Sequence, residues 1–259
     1  MPVPVNRLKA ALAAGERQMG LWIAMGHSTS AEIASRAGFD WCLIDGEHAP
    51  NDIPMILEQL RAMGAGSATP AVRLPVGDPV LVKRVLDLGV QTILIPMVDT
   101  PEEAEAMVRA TRYPPEGVRG VGAAMARAGD FGAITDVVTT ANAQICLFVQ
   151  AESREAIENI EAIAGIDGVD GIFVGPADLA ADMGFPGQPG TPEVEAVIHD
   201  AIGRITAAGK AAGIIAFDTA KCAQWIEAGA TFVAVGGDVS ILARGIRAAA
   251  AAAEEMRAL

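Results

Sequence analysis

The sequence is poor in cysteine: Cys42, Cys146 and Cys222 are the only three in 259 residues. An odd number, without close pairing or metal-ligand spacing, excludes a disulfide framework and a cysteine-based zinc site. Cys42 and Cys146 fall inside apolar runs, so the set reads as reduced, buried small side chains of a cytoplasmic protein. Basic residues are also scarce. With 19 Lys and Arg against 32 Asp and Glu, the formal charge is -13 and the pI is near 4.6. That balance excludes nucleic acid or an anionic membrane surface as the main partner, and any anionic substrate must be held by local positive groups. No run reaches the roughly 18 apolar residues of a membrane span. The segment from Met1 to Lys9 has no sustained apolar core, so no leader is expected. Neither a low-complexity linker nor an internal repeat divides the chain.

What the chain has in quantity is apolar side chains, 51% of the sequence, spread along its length. That suffices for one barrel-sized domain over residues 1–259. Asn6 is placed to cap a short amphipathic helix through Ala14, with Gly15 at its end, closing one mouth of the domain. From Gly20 onward, apolar bursts alternate with helical patterns. Strands are expected at 21–25, 41–44, 71–74, 92–96, 145–149, 172–174, 212–216 and 232–235. Helices are expected at 30–37, 52–63, 79–88, 101–111, 154–164, 192–208, 219–228 and 239–258. Eight alternations predict an α/β fold, a single (β/α)8 TIM barrel, and the unbroken apolarity of the strands fits burial on both faces. An open doubly wound sheet ranks lower, because no glycine-rich dinucleotide loop follows the first strand. The longest irregular stretch, Tyr113 to about Asp136, is expected to serve function or subunit contact.

In such a barrel, chemistry gathers where the strands run out. Gly171 to Val174 reads as a buried strand, Gly175-Pro176 stops it and opens a helix, and Asp178 is delivered just past its carboxyl end. Glu152 follows the preceding strand in the same way, with Ser153 opening the next helix. If the two strands are parallel neighbours about 4.8 Å apart, their carboxylates repel unless one is protonated or a cation lies between them. Other strand ends carry Asp45-Gly46-Glu47-His48, Arg73, Gln150, and Gly236-Gly237-Asp238. Each alone has an ordinary role as a cap, a loop residue or an ion-pair partner. On one rim they describe a pocket. Two carboxylates with open positions beside them suit Mg2+, Mn2+ or Co2+ and a chelating substrate. The helix start at Gly175, Pro176, Ala177 and Asp178 can hold a carboxylate. Arg73 supplies a fixed positive charge. Together they fit a 2-oxo acid whose carbonyl oxygen becomes an enolate oxygen. The covalent alternative, a Schiff-base lysine, lacks a candidate, because Lys9, Lys83, Lys210 and Lys221 are not placed at a strand's carboxyl end. His48 is the candidate acid/base, directly or through water, and Asp87 is a candidate to fix its tautomer. Trp22, Trp41 and Trp225 read as packing residues.

Phe173-Val-Gly-Pro-Ala-Asp178-Leu179, Gln150-Ala-Glu152, Asp45-Gly-Glu-His48-Ala-Pro, Val72-Arg73 and Tyr113-Pro-Pro-Glu-Gly-Val-Arg119-Gly together resemble the HpcH/HpaI family of class II pyruvate aldolases. The likeness covers essentially the entire chain. The resemblance implies a divalent-metal-dependent aldolase that reversibly cleaves 4-hydroxy-2-oxo acids to pyruvate, or hydroxypyruvate, and an aldehyde. It further implies Glu152 and Asp178 as metal ligands, Arg73 on the keto oxygen, and His48 with Asp87 as an acid/base dyad. Gln150 and the amides of Gly175, Pro176, Ala177 and Asp178 would bind substrate. Residues 123–136 would select the aldehyde. A homo-hexamer, a dimer of trimers exchanging the helix from Val239 to Leu259, is implied as well. Two other readings stay open: an acyl-CoA lyase of the citrate or malyl-CoA type, which the acidic balance disfavours, and a non-catalytic barrel binding a metal and a 2-oxo acid.

Overall fold

The computed structural model describes residues 1–257, and the last two positions of the expected carboxyl-terminal helix lie outside the described residues. The eight apolar bursts form β1 (Gln18–Ile23), β2 (Trp41–Asp45), β3 (Thr69–Arg73), β4 (Thr92–Ile95), β5 (Cys146–Ala151), β6 (Gly171–Val174), β7 (Ala211–Ile215) and β8 (Phe232–Gly237). All pair in parallel, in sequence order, and β8 closes on β1. The expected barrel is therefore the observed one. The principal helices are α1 (Arg7–Ala13), α2 (Ser28–Ser35), α3 (Ile53–Met63), α4 (Pro79–Asp87), α5 (Pro101–Thr111), α6 (Val137–Thr140), α7 (Arg154–Glu158), α8 (Ile160–Ala164), α9 (Pro176–Asp182), α10 (Pro192–Ala207), α11 (Thr219–Ala228) and α12 (Asp238–Arg257). Their starts follow local chemistry: Asp52, Asp78, Ser153 and Asp218 cap with side-chain oxygens, and Thr100 with Glu103 forms a capping box. The helix expected over 154–164 breaks at Asn159, whose side chain leaves the helix to donate to the Asp99 carbonyl at 2.8 Å.

Aromatics are only 4% of the sequence, yet five of them fill the barrel interior. Trp41 and Phe232 stack with centroids 3.8 Å apart, Phe148 joins Phe232 at 4.5 Å, and Phe173 leans on Trp22 at 5.4 Å. These rings fit because glycines face them. A methyl group at Gly20 would lie 2.1 Å from the Trp41 ring, and one at Gly171 would lie 2.2 Å from Phe148. One large ring opposite one missing side chain keeps the interior at close-packed density. From below, Leu8 and Leu12 of α1 complete this cluster. Lys9 fastens the plug through the Ile145 carbonyl and Asp170, and Asn6 caps it while donating to Gln91, Thr92 and Gln144. The three cysteines are free and buried, and burial, with Asp238 adding, pushes the Cys42 thiol up to about 12. Among the described residues no helix is long and apolar enough to cross a membrane.

The irregular stretch between α5 and β5 packs at the amino-terminal mouth of the barrel. Asp136 pairs with the Met1 amino group at 3.1 Å, Thr140 accepts from the Val3 amide, and Arg127 donates to the Leu88 carbonyl. Residues 123–136 therefore do not line the carboxyl-terminal rim of their own chain, contrary to the expected role in aldehyde choice. The reason is topological: α5 carries the chain back across the barrel before the stretch begins.

Candidate active site

Strand register assembles the rim. Pairing of β2 with β3 sets Asp45 directly across from Arg73. Asp45 takes the guanidinium in a two-pronged grip, accepting from Nε at 2.8 Å and from Nη2 at 2.7 Å, while Glu47 Oε2 lies 2.7 Å from Nη1. The ring of Trp22 supports the guanidinium, whose carbon is 5.3 Å from the ring centroid. Arg73 is only 7% exposed, so this positive charge is held in a fixed place with little water around it. Burial works to raise the Asp45 pKa, but the hydrogen bonds and charge of Arg73, with the Glu47 and His48 amides, outweigh it and hold the carboxyl below its usual range.

Pairing of β5 with β6 brings Ala151 opposite Val174, as the sequence suggested for neighbouring strands, and the Gly175 amide donates to the Ala151 carbonyl at 3.1 Å. Glu152 therefore packs against Gly175, where an added methyl group would stand 2.5 Å from Oε2 and 2.8 Å from Cβ. Met97, held at φ 51°, donates its amide to Glu152 Oε1 at 2.8 Å, and Gln150 Nε2 donates to Oε2. Despite these donors, burial, with Asp178 and Glu47 adding, pushes the Glu152 carboxyl up to about 7. Glu47 is raised too, first by burial and then by Asp45 and Asp178, against the lowering charges of Arg73 and His48.

Arg73, Gln150, Glu152 and Asp178 thus share one rim, and His48 stands at its mouth, 66% exposed, with Nε2 3.8 Å from Glu47 Oε1. Two expectations need correction. Asp87 does not reach His48 within the chain: α4 runs from the rim to the opposite mouth, where Asp87 pairs with Arg119 at 2.8 Å. Nor do four amides face a substrate at α9. Pro176 has no N–H, the Gly175 amide is spent on Ala151, and only the amides of Ala177 and Asp178 remain at a helix start without a side-chain cap. Asp238 proves structural, accepting from the Ala24 and Met25 amides and Ser30 Oγ to fasten the loop after β1. His27 caps α2 through Nδ1. Asp45, Glu47 and the Met97 amide are site groups to which sequence reasoning assigned no role. Their signal was position alone: Asp45 ends a strand that neighbours Arg73, and Glu47 lies two residues beyond. Next to the start of α9, Pro176, Ala177, Ile215, Phe217 and Trp225 help to line a largely apolar cavity of about 360 Å3.

Residues 18–244 match the HpcH/HpaI aldolase/citrate lyase family. The chain belongs to that family. It is 53% identical over 251 residues to the hydroxypyruvate/pyruvate aldolase of Agrobacterium fabrum, covering 97% of this chain and 94% of the relative. It is 52% identical over 246 residues to the 4-hydroxy-2-oxo-heptane-1,7-dioate aldolase of Klebsiella pneumoniae, covering 95% and 93%. A solved HpcH/HpaI aldolase/citrate lyase family protein from Burkholderia cenocepacia has a TM-score of 0.92 and 43% identity, covering 98% of this chain and all of that one. The chain is accordingly an aldolase, a carbon–carbon lyase.

The rim of this aldolase fits a hard divalent cation. Asp45 and Glu47 pair with the one guanidinium, and Glu152 and Asp178 add two further carboxylates to the same rim, a formal excess of three negative charges when all are ionised. A carboxyl pushed up to about 7 beside other carboxylates is a group short of a counter-charge. Gln150 Oε1 and Glu47 Oε2 are buried acceptors without a hydrogen-bond donor, well suited to a water or ligand hydroxyl near a cation. Among the described residues no cluster of three or more His, Cys, Asp or Glu could hold a metal. Two carboxylates with the remaining positions left to water and substrate is the arrangement such ions accept.

Proposed function

We propose that this chain reversibly cleaves 4-hydroxy-2-oxo acids to pyruvate or hydroxypyruvate and an aldehyde, with a divalent ion, Mg2+, Mn2+ or Co2+, held by Glu152 and Asp178. The observation that carries this reading is the buried Arg73, fixed by Asp45 on the same rim as a carboxyl that lacks a counter-charge. When bound, the ion supplies Lewis-acid polarisation of a chelated 2-oxo acid. The residues supply the rest. The free N–H groups of Arg73 face the keto oxygen and stabilise the negative charge that grows there as the C3–C4 bond breaks. The Ala177 and Asp178 amides receive the carboxylate. Gln150 steadies Glu152 and offers its unpaired Oε1 to a ligand donor. His48, at the open mouth, takes the 4-hydroxyl proton and returns a proton to C3. The apolar cavity by Phe217 is suited to receive the aldehyde portion.

Both nucleophiles stand in the name of the Agrobacterium fabrum relative, and a 4-hydroxy-2-oxo acid stands in that of the Klebsiella pneumoniae relative. A homo-oligomer is part of the proposal. Asp87 and residues 123–136 lie at the mouth opposite the rim, so another copy would have to present that end for either group to act there. The deciding experiment follows pyruvate C3 proton exchange in deuterated water by NMR, after chelation and after adding each ion back. Exchange restored by an ion, and abolished in Arg73→Ala and Glu152→Ala, is the expected result. No exchange with any ion would overturn pyruvate as the nucleophile.

A further inference from the structure

Arg73 has five N–H groups, and Asp45 takes two of them along one edge. A planar group gripped along a single edge can still hinge about that edge. Trp22 blocks the swing on only one face. On the far side of the fork, Glu47 Oε2 lies 2.7 Å from Nη1, yet no N–H is aimed at it, and the oxygen is buried without a hydrogen-bond donor. The other oxygen of the same carboxylate lies 3.8 Å from His48 Nε2.

We propose that Glu47 is a positioning residue, which stops the Arg73 guanidinium from hinging on Asp45 and ties it to His48 through the two oxygens of one carboxylate. The inference rests on the aldolase reading for its kinetic consequence but not for its geometry. A contact made for stability alone would not be placed this way. Burial, with the neighbouring acids Asp45 and Asp178, outweighs the favourable charges of Arg73 and His48 and leaves the carboxyl raised, so Glu47 is held at a net cost, and its approach to Nη1 lacks an aligned hydrogen bond. What the placement does achieve is a guanidinium restrained on three sides, leaving the Nη1–Nη2 end for a substrate oxygen. A misplacement of about one ångström can cost as much as roughly a hundredfold in rate.

The test compares the full-length protein with Glu47→Ala and Glu47→Gln. Crystal structures locate the guanidinium, and pyruvate C3 exchange with saturating Mn2+ supplies kcat and KM. In Glu47→Ala the guanidinium should rotate about the Asp45 fork, and kcat should fall by at least about tenfold while KM changes far less. Glu47→Gln keeps an acceptor in place and should recover most of the loss. The proposal is overturned if the guanidinium of Glu47→Ala superimposes on the wild type, or if its kcat stays within about twofold of wild type. Failure of the wild type itself to exchange pyruvate would instead refute the aldolase assignment. In that case the crystallographic comparison still decides the role of Glu47.

Discussion

Glu152 carries a pH signature that falls near neutrality. Burial first, then Asp178 and Glu47, push its carboxyl from 4.5 to about 7. A carboxyl raised on folding favours the folded state when protonated. Its contribution is complete below the ordinary value of 4.5 and is lost as pH climbs through 7, a difference of about 3 kcal/mol. The chelated protein should therefore lose stability between pH 5 and pH 8, and Glu152→Gln should flatten that slope, as urea unfolding at each pH will show. A divalent ion must displace the same proton. Its apparent affinity should rise by up to about tenfold per pH unit below 7 and level off above it. Calorimetry in buffers of different ionisation enthalpy would count the proton released. A slope that persists in Glu152→Gln would remove Glu152 as its source. Residue chemistry of this kind was partly legible. Repulsion between Glu152 and Asp178 followed from adjacent strand ends, whereas the donors from Met97 and Gln150 depend on a backbone turn and on rotamers that sequence does not specify.

The β5–β6 pair decides how closely these groups can approach. Gly175 has φ -93°, which any residue can adopt, so its requirement is one of space. Gly175→Ala should leave the barrel folded but force Glu152 outward. Ion affinity should fall by at least about tenfold, with a loss of stability of about 1–3 kcal/mol from the overpacked contact. Ion titration alongside thermal unfolding separates the two effects. Unchanged ion affinity in a folded Gly175→Ala protein would mean that Glu152 is not a ligand. The eight strands were readable because parallel barrel strands are buried on both faces and so stay apolar throughout. Their ends were less so. β1 begins at Gln18 rather than at the first apolar residue, since the barrel's hydrogen bonding to β8 starts there and not where hydrophobicity does. The helix break at Asn159 was hidden because Asn159 satisfies a carbonyl of another loop, a tertiary partner that no local pattern announces.

Across the whole molecule, the chemistry expected of one site is divided between two ends. His48 stands at the carboxyl-terminal mouth and Asp87 at the other, and the sequence alone allowed this to be foreseen, since a residue closing a helix that follows a barrel strand has crossed back to the strand starts. Exposed apolar side chains point the same way. Val239, Leu242 and Ile246 recur at helical spacing along α12, each at least 46% exposed, on a helix whose only buried residue is Asp238. If another copy supplies Asp87 to each rim, His48→Ala and Asp87→Ala should each be nearly inactive alone yet complement one another. Unfolded together and refolded as mixed oligomers, about a quarter of their sites would pair an intact His48 with an intact Asp87. Recovery of exchange activity toward that fraction, absent when the two variants are merely combined without subunit exchange, is the expected outcome. Mixed oligomers that stay inactive would confine the acid/base chemistry to a single chain, and Glu47, with Oε1 3.8 Å from His48 Nε2, would then be the acid beside the imidazole.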